Sequence, residues 1–186
     1  MTLVRRREEG FGLVELIIYI ALTLIILSAV GGVVISMVRV QNQVMNAANS
    51  AEEAQLVTRS IGAGVRNATA LDLQTVGTGD QIFRMRTATS AANASWFCVA
   101  WYYNAADKSL RTKTSPNAIA TPNSSELVSW ELVSAGITAV QATPVMQLSG
   151  TTLRLQFSSQ LANEPPIVIR TSVSQGGGVR MSAPCF

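Results

Sequence analysis

The residue with the clearest chemical role is Glu15, a carboxylate inside a long apolar run. Between Phe11 and Val38 it is the only acidic or basic side chain. A lone carboxylate in a membrane helix costs about 3 kcal/mol on insertion scales, and such residues usually have a specific partner. The sequence therefore predicts that Glu15 forms a charge pair with a group outside its own apolar run.

The rest of the chain offers little for catalysis. It contains no histidine, which removes the commonest general base and the commonest metal ligand. The two cysteines, Cys98 and Cys185, are not spaced as CxxC, so a structural zinc site is not expected. We find no catalytic constellation, and the sequence predicts a protein that is not an enzyme and uses no metal or cofactor.

Two interpretations are open for Cys98 and Cys185. In an extracytoplasmic protein they would pair, because that environment is oxidising. The closed loop would hold close to ninety residues, and chain-entropy estimates give roughly 4–5 kcal/mol for closing it. The alternative is two free or merely buried thiols.

The apolar run has the length and the flanking charges of a membrane span. Residues 1–10 are polar and basic, with three arginines at positions 5–7. Residues 16–38 are uncharged and would span roughly 34 Å as a helix, enough for a hydrocarbon core of about 30 Å. Arg39 follows the run. Because the upstream arginines outnumber the downstream one, the N-terminus is expected in the cytoplasm and the remainder outside.

Two other kinds of N-terminal segment are alternatives. A secretory signal peptide has an apolar region of about 7–15 residues, far shorter than this run, although residues 28–31 could imitate its cleavage site. A plain single-pass anchor fits the length but does not account for Glu15.

The segment Gly10-Phe11-Gly12-Leu13-Val14-Glu15 resembles the leader junction of type IV pilins and type II secretion pseudopilins. In that family a prepilin peptidase cuts after the glycine and methylates the new N-terminal phenylalanine. The resemblance implies a leader over residues 1–10, cleavage between Gly10 and Phe11, and Glu15 as the fifth mature residue, where the family has its glutamate. Gly12 departs from the family's usual threonine.

The resemblance also implies a mechanism and partners. Cleavage would free a cationic amine on Phe11, which could pair with Glu15 of a neighbouring subunit, because a buried charge without a partner is strongly unfavourable. The expected partners are prepilin peptidase, other pilin or pseudopilin subunits and a membrane assembly platform. The chain would be a membrane precursor first and part of an extracytoplasmic filament, a pilus or a secretion or DNA-uptake pseudopilus, afterwards.

Beyond the membrane run, the periodicity predicts that one helix continues to about residue 66. Apolar residues recur at three- and four-residue steps along one face from Val40 to Ala68. Residues 11–38 are interpreted as the membrane and assembly helix, and residues 39–70 as its amphipathic continuation. The apolar stripe is expected to pack on a sheet.

Residues 71–186 are predicted to form an antiparallel sheet domain, which makes the chain α+β with a pilin-like arrangement. Alternation and β-rich composition predict strands over 81–87, 96–103, 109–114, 127–133, 137–142, 151–158 and 167–173. Residues 116–125 are expected to form a loop. The hairpin from Trp96 to Thr114 loosely resembles J-type minor pseudopilins, whereas Glu15 argues against the extreme tip subunit.

A membrane-anchored binding protein, acting in adhesion or on DNA, is the alternative function. Exposed aromatics stack on sugars or bases, and basic strand faces grip phosphates. The aromatic candidates are Trp96, Trp101, Tyr102 and Tyr103, and the basic ones are Arg84, Arg86, Arg111, Lys113 and Arg154. A half-buried core strand and a solvated strand face are the ordinary interpretations of these patterns, so nucleic acid is a partner without support from a motif.

Overall fold

The computed structural model describes residues 12–88, 96–160, 166–176 and 185–186. It divides into two compact units, residues 1–45 and residues 46–186. Helix α1 runs over Leu13–Asn67. The prediction of one helix ending near residue 66 is confirmed.

Residues 68–70, which we expected in the helix, belong to a strand instead. Strand β1 (Ala68–Val76) begins directly after α1. The carbonyl of Arg66 accepts a hydrogen bond from the amide of Gly176 at 3.1 Å, and the side chain of Gln175 donates to the carbonyl of Ala68 at 2.8 Å. A distant segment therefore occupies acceptors at the end of the helix, and the chain turns into a sheet.

The first sheet has five antiparallel strands in the order β1-β2-β3-β4-β5. They are β1, β2 (Asp80–Ala88), β3 (Trp96–Asn104), β4 (Ser109–Ser115) and β5 (Glu131–Ala135). The predictions for 81–87, 96–103 and 109–114 are confirmed. Strand β1 was missed, because its apolar residues had been counted partly with the helix and partly with no element.

The expected strand over 127–133 is wrong in its first half. Residues Ser124–Leu127 form a short helix, α2, which also ends the expected loop. Asn123 caps it: its side chain accepts from the amide of Glu126 at 2.8 Å, while the carboxylate of Glu126 accepts from the amide of Asn123 at 3.0 Å. This reciprocal capping box stabilises a helical turn locally, so β5 begins only at Glu131.

The second sheet is built around β8 (Thr152–Ser159). Strand β9 (Ile167–Ser174) pairs with it over its whole length, while β6 (Ile137–Ala139) and β7 (Met146–Ser149) pair with its two halves. Strand β7 was not predicted. The expected strand over 137–142 ends at Ala139, because a tight turn follows in which Gln141 and Ala142 both have positive φ.

The described chain is α+β, and its main core lies where the second half of α1 meets both sheets. Helix residues Ala54, Val57, Ile61 and Val65 are buried there. The sheets contribute the large buried side chains Phe83, Met85, Trp101, Tyr103, Leu110, Ile137, Met146, Leu153, Leu155 and Phe157. The expected packing of the apolar helix stripe on a sheet is thus confirmed within residues 46–186.

Gln81 joins the two sheets with one side chain. Its amide nitrogen donates to the carbonyl of Met146 at 2.8 Å, and its amide oxygen accepts from the Met146 amide at 2.9 Å. Gln81 is only 3% exposed, so these bonds are shielded from water. The side-chain amide of Gln81 thus forms the pair of hydrogen bonds with β7 that a backbone peptide group of a neighbouring strand would form.

Gly136 is the corner at which the chain leaves the first sheet and enters the second. Its φ is +83°, and a Cβ atom there would overlap the carbonyl oxygen of Gln160. The carbonyl of Gly136 also accepts from the Gln160 amide at 3.2 Å. The position therefore requires both the left-handed conformation and the absence of a side chain.

Gly136→Ala is expected to lower the free energy of unfolding by about 3 kcal/mol or more, since left-handed strain of about 1–2 kcal/mol is joined by overpacking. Gly150→Ala is the matched control, because Gly150 has φ +58° but no atom within 4 Å of a Cβ there. It should lose only the strain. Denaturant unfolding of the full chain in detergent, followed by tryptophan fluorescence, compares the two. Equal losses would contradict the steric role of Gly136.

Candidate functional site

Helix α1 begins just after the expected processing site. Gly10 and Phe11 lie outside the described residues. The carbonyl of Gly12 accepts hydrogen bonds from the amides of Glu15, at 2.9 Å, and Leu16, at 3.2 Å. Glu15 is therefore in the first helical turn, where the partial positive charge of the helix end favours a carboxylate.

The side chains of the first unit have no protein around them. Every residue from 12 to 45 is exposed except Gly31, which is half-buried. An 18-residue window of α1 reaches a mean hydropathy of 2.6 with none of it buried, so by length and composition the helix could cross a membrane. Apolar side chains this exposed require a lipid or protein surface to cover them.

Two hydroxyl groups within the apolar run form hydrogen bonds inside the helix. Thr23 donates to the carbonyl of Tyr19 at 2.7 Å, and Ser28 donates to the carbonyl of Ile25 at 2.8 Å. A membrane interior requires such internal bonds, because no water is there to replace them.

Glu15 differs from these hydroxyl groups. Its carboxylate forms no hydrogen bond or ion pair with any of the described residues. Glu15 is thus the one carboxylate of the apolar run, and no residue in the described part of the chain pairs with it. If the helix is surrounded by lipid or by other apolar helices, a cationic group from outside the described part of the chain would stabilise the ionised carboxylate.

The two cysteines lie on the opposite face of the first sheet from the main core. The structure joins Cys98 and Cys185 in a disulfide, with Cα atoms 5.5 Å apart and a sequence separation of 87. The amide of Ile119 donates to the carbonyl of Cys185 at 3.1 Å. A second, smaller core forms here from Ile82, Cys98, Ala100, Tyr102, Ile119, Leu127, Trp130 and Cys185.

Arg84 is part of this covered face and not of an open basic surface. It is 6% exposed, and its guanidinium forms an ion pair with the carboxylate of Asp72, with Nε 3.0 Å from Oδ2. Another guanidinium nitrogen donates to the carbonyl of Ile119 at 3.3 Å. Asp72 lies opposite Arg84 in the β1–β2 register. Because strand β1 was not predicted from the sequence, Asp72 was not expected to lie beside Arg84.

Tyr102 is held by a second carboxylate on the same face. Its hydroxyl donates to Asp80 at 2.8 Å, and the other oxygen of Asp80 accepts from the amide of Ala105 at 2.9 Å. Burial, together with the hydrogen bond to Asp80 and the negative charge of that carboxylate, raises the pKa of Tyr102 to about 12. The phenol therefore stays neutral at physiological pH and serves as a hydrogen-bond donor.

The structure does not bring the four aromatic candidates together as a binding platform. Trp101 and Tyr103 are buried in the main core, and Tyr102 is buried on the opposite face. Burial also raises the pKa of Tyr103. Only Trp96 is substantially exposed, at 36%, and the guanidinium of Arg86 lies over its ring, 4.8 Å from the centroid.

The five basic candidates do not form one surface either. Arg86 is 9% exposed and, like Arg84, is buried. Arg111 donates to the carbonyl of Trp130 at 3.1 Å, and the Lys113 ammonium lies 5.7 Å from the centre of the Trp130 ring. Arg154 is exposed, but it belongs to the second sheet. Its neighbour there is Arg170 on β9, which was not among the basic candidates from the sequence.

No protein family, curated protein or solved structure matches this chain. Nor do three potential metal ligands come together anywhere in the ranges given above for the described chain. The candidate functional site is therefore defined by geometry alone. It is the exposed apolar run of α1, with one carboxylate in the first turn that pairs with no described residue.

Proposed function

We propose that this protein is a minor pilin or pseudopilin, processed by prepilin peptidase and assembled into a type IV pilus or a related secretion or DNA-uptake filament. The observation that carries the proposal is Glu15, which has no partner among the described residues and is the one charged side chain in the exposed apolar run of residues 12–38. A simple anchor gains nothing from such a group, whereas an assembly helix can use it to recognise the next subunit.

The α+β unit after the helix supports the same proposal. The part of α1 that belongs to this unit is amphipathic and buries Ala54, Val57, Ile61 and Val65 against the sheets. The apolar run ahead of it is left free to enter lipid or a bundle of equivalent helices. The basic residues at positions 5–7 would retain the N-terminus in the cytoplasm, so that the α+β unit is exported.

Processing is the direct test of this proposal. We expect the mature protein to begin at Phe11 with a methylated amine, because residues 10–15 resemble the family's junction. Intact-mass analysis and N-terminal sequencing of membrane or filament material would measure it. Deleting the host's prepilin peptidase should leave the chain beginning at Met1.

Two glycine variants test whether cleavage depends on the residue at position 10. Gly10→Val should block processing, because the peptidase is expected to cut after a glycine. Gly12→Ala should be processed normally, since no atom lies within 4 Å of a Cβ at that position. A mature chain starting at Met1 in the wild-type host, or after residue 28, would contradict the proposal.

A further inference from the structure

The outer face of the second sheet carries positive charge and no negative charge. Arg154 on β8 and Arg170 on β9 are both exposed. They are diagonal neighbours, because Arg154 lies opposite Ser172 and Gln156 lies opposite Arg170. Strands β6 to β9 contain no aspartate or glutamate. Neither arginine has an ion-pair partner among the residues that the structure describes.

The side chains that line the depression beside the two arginines can all donate hydrogen bonds. The depression between β8 and β9 has a volume of about 320 Å³ and is lined by Arg154, Gln156, Arg170, Thr171 and Ser172. On the same face, Gln147 lies opposite Arg154 on β7, and the hydroxyls of Thr152 and Ser174 are 2.9 Å apart. Arginine, glutamine, serine and threonine are among the side chains that contact phosphate oxygens in nucleic-acid complexes.

We propose that this face binds the sugar–phosphate backbone of a nucleic acid strand, without reading its sequence. Charge complementarity supports this occupant, because two forked guanidiniums and several neutral donors lie on strands that carry no carboxylate. A protein partner is disfavoured, because Val168 is the one large apolar side chain exposed on these strands and no aromatic group is available as an anchor. A membrane surface is disfavoured for the same reason. The inference goes beyond filament assembly and does not depend on it.

The test is binding of a fluorescent single-stranded DNA of mixed sequence to the full chain in nanodiscs of uncharged lipid, over a range of salt concentrations. Two phosphate contacts should contribute about 1.4 to the slope of log affinity against log salt, at about 0.7 per contact. The double variant Arg154→Gln with Arg170→Gln should lose that part of the slope and bind about tenfold more weakly in dilute salt.

The matched control removes the same charge elsewhere, by combining Arg59→Gln on α1 with Lys113→Gln on β4. Both are exposed; this control should change affinity by less than about twofold if the outer face is the site. The double variant Arg154→Lys with Arg170→Lys keeps the charge and should retain most of the slope.

Equal weakening in the two glutamine doubles, or no weakening in either, would overturn the proposal. So would arginine-dependent binding of phosphatidylglycerol vesicles without DNA binding. Because processing and filament entry are measured separately, a negative result here leaves the assembly proposal intact, and the converse also holds. Thermal melts of each variant check that these exposed positions have not altered folding.

Discussion

Glu15→Ala is expected to leave the protein inserted in the membrane and cleaved, yet to exclude it from filaments. The helix becomes more apolar, so insertion should be unimpaired or easier. In an assembled filament the freed amine on Phe11 of a neighbour would lose its carboxylate. Leaving one member of a buried charge pair alone costs about 3–5 kcal/mol, which corresponds to a loss of incorporation of at least about a hundredfold.

Glu52→Ala is the matched control for this experiment. Glu52 is also an exposed glutamate on α1, but it lies outside the apolar run. Membrane content, leader cleavage and filament incorporation should be measured for both variants and wild type in the native host. If the Glu15 variant enters filaments as efficiently as wild type, Glu15 has no role in assembly. If both variants fail equally, the defect reflects loss of negative charge on the helix and not the proposed pairing.

Removing the disulfide is expected to have the next largest effect. The variant Cys98→Ala with Cys185→Ala opens a loop of 87 residues, and the chain-entropy model predicts a loss of about 4–5 kcal/mol in the free energy of unfolding. For a domain whose total stability is about 5–15 kcal/mol, this is a large fraction. Alanine is the suitable replacement because both cysteines are buried among apolar groups.

Denaturant unfolding of the full chain in detergent, with and without a thiol reductant, measures the disulfide effect. Reductant should destabilise the wild type to the level of the double variant and should leave the variant unchanged. Hydrogen exchange gives a local readout: the amide of Ile119, bonded to Cys185, should lose more protection than the amide of Gln156, bonded to Val145. Rapid alkylation of both thiols without reduction would show that the native protein lacks the bond.

The features that could be predicted from the sequence are those determined by neighbours along the chain. The apolar run and its continuation predicted a helix to about residue 66, and α1 ends at Asn67. Alternation of Phe83 and Met85 with Arg84 and Arg86 predicted strand β2 and its two faces. Helical and strand periods repeat every few residues, so local side-chain order is sufficient to reveal them.

The environment of each strand face depends on residues that are distant in sequence. Arg84 and Arg86 were expected on a solvated surface, but Asp72 on an unpredicted strand and the chain around Ile119 cover Arg84. Likewise, the β-rich run from Trp96 to Tyr103 predicted a strand, while the location of Trp101 and Tyr102 in separate cores required both sheets.

Composition and short-range periodicity are sufficient to predict the membrane-length helix, the isolated carboxylate at Glu15 and the α+β class. The fold was needed to show that Cys98 meets Cys185, that Gln81 joins two sheets and that Arg154 is accompanied by Arg170. These pairings depend on how strands are ordered and aligned. The energy that selects one alignment comes from burying side chains contributed by several distant segments at once, and no local pattern encodes it.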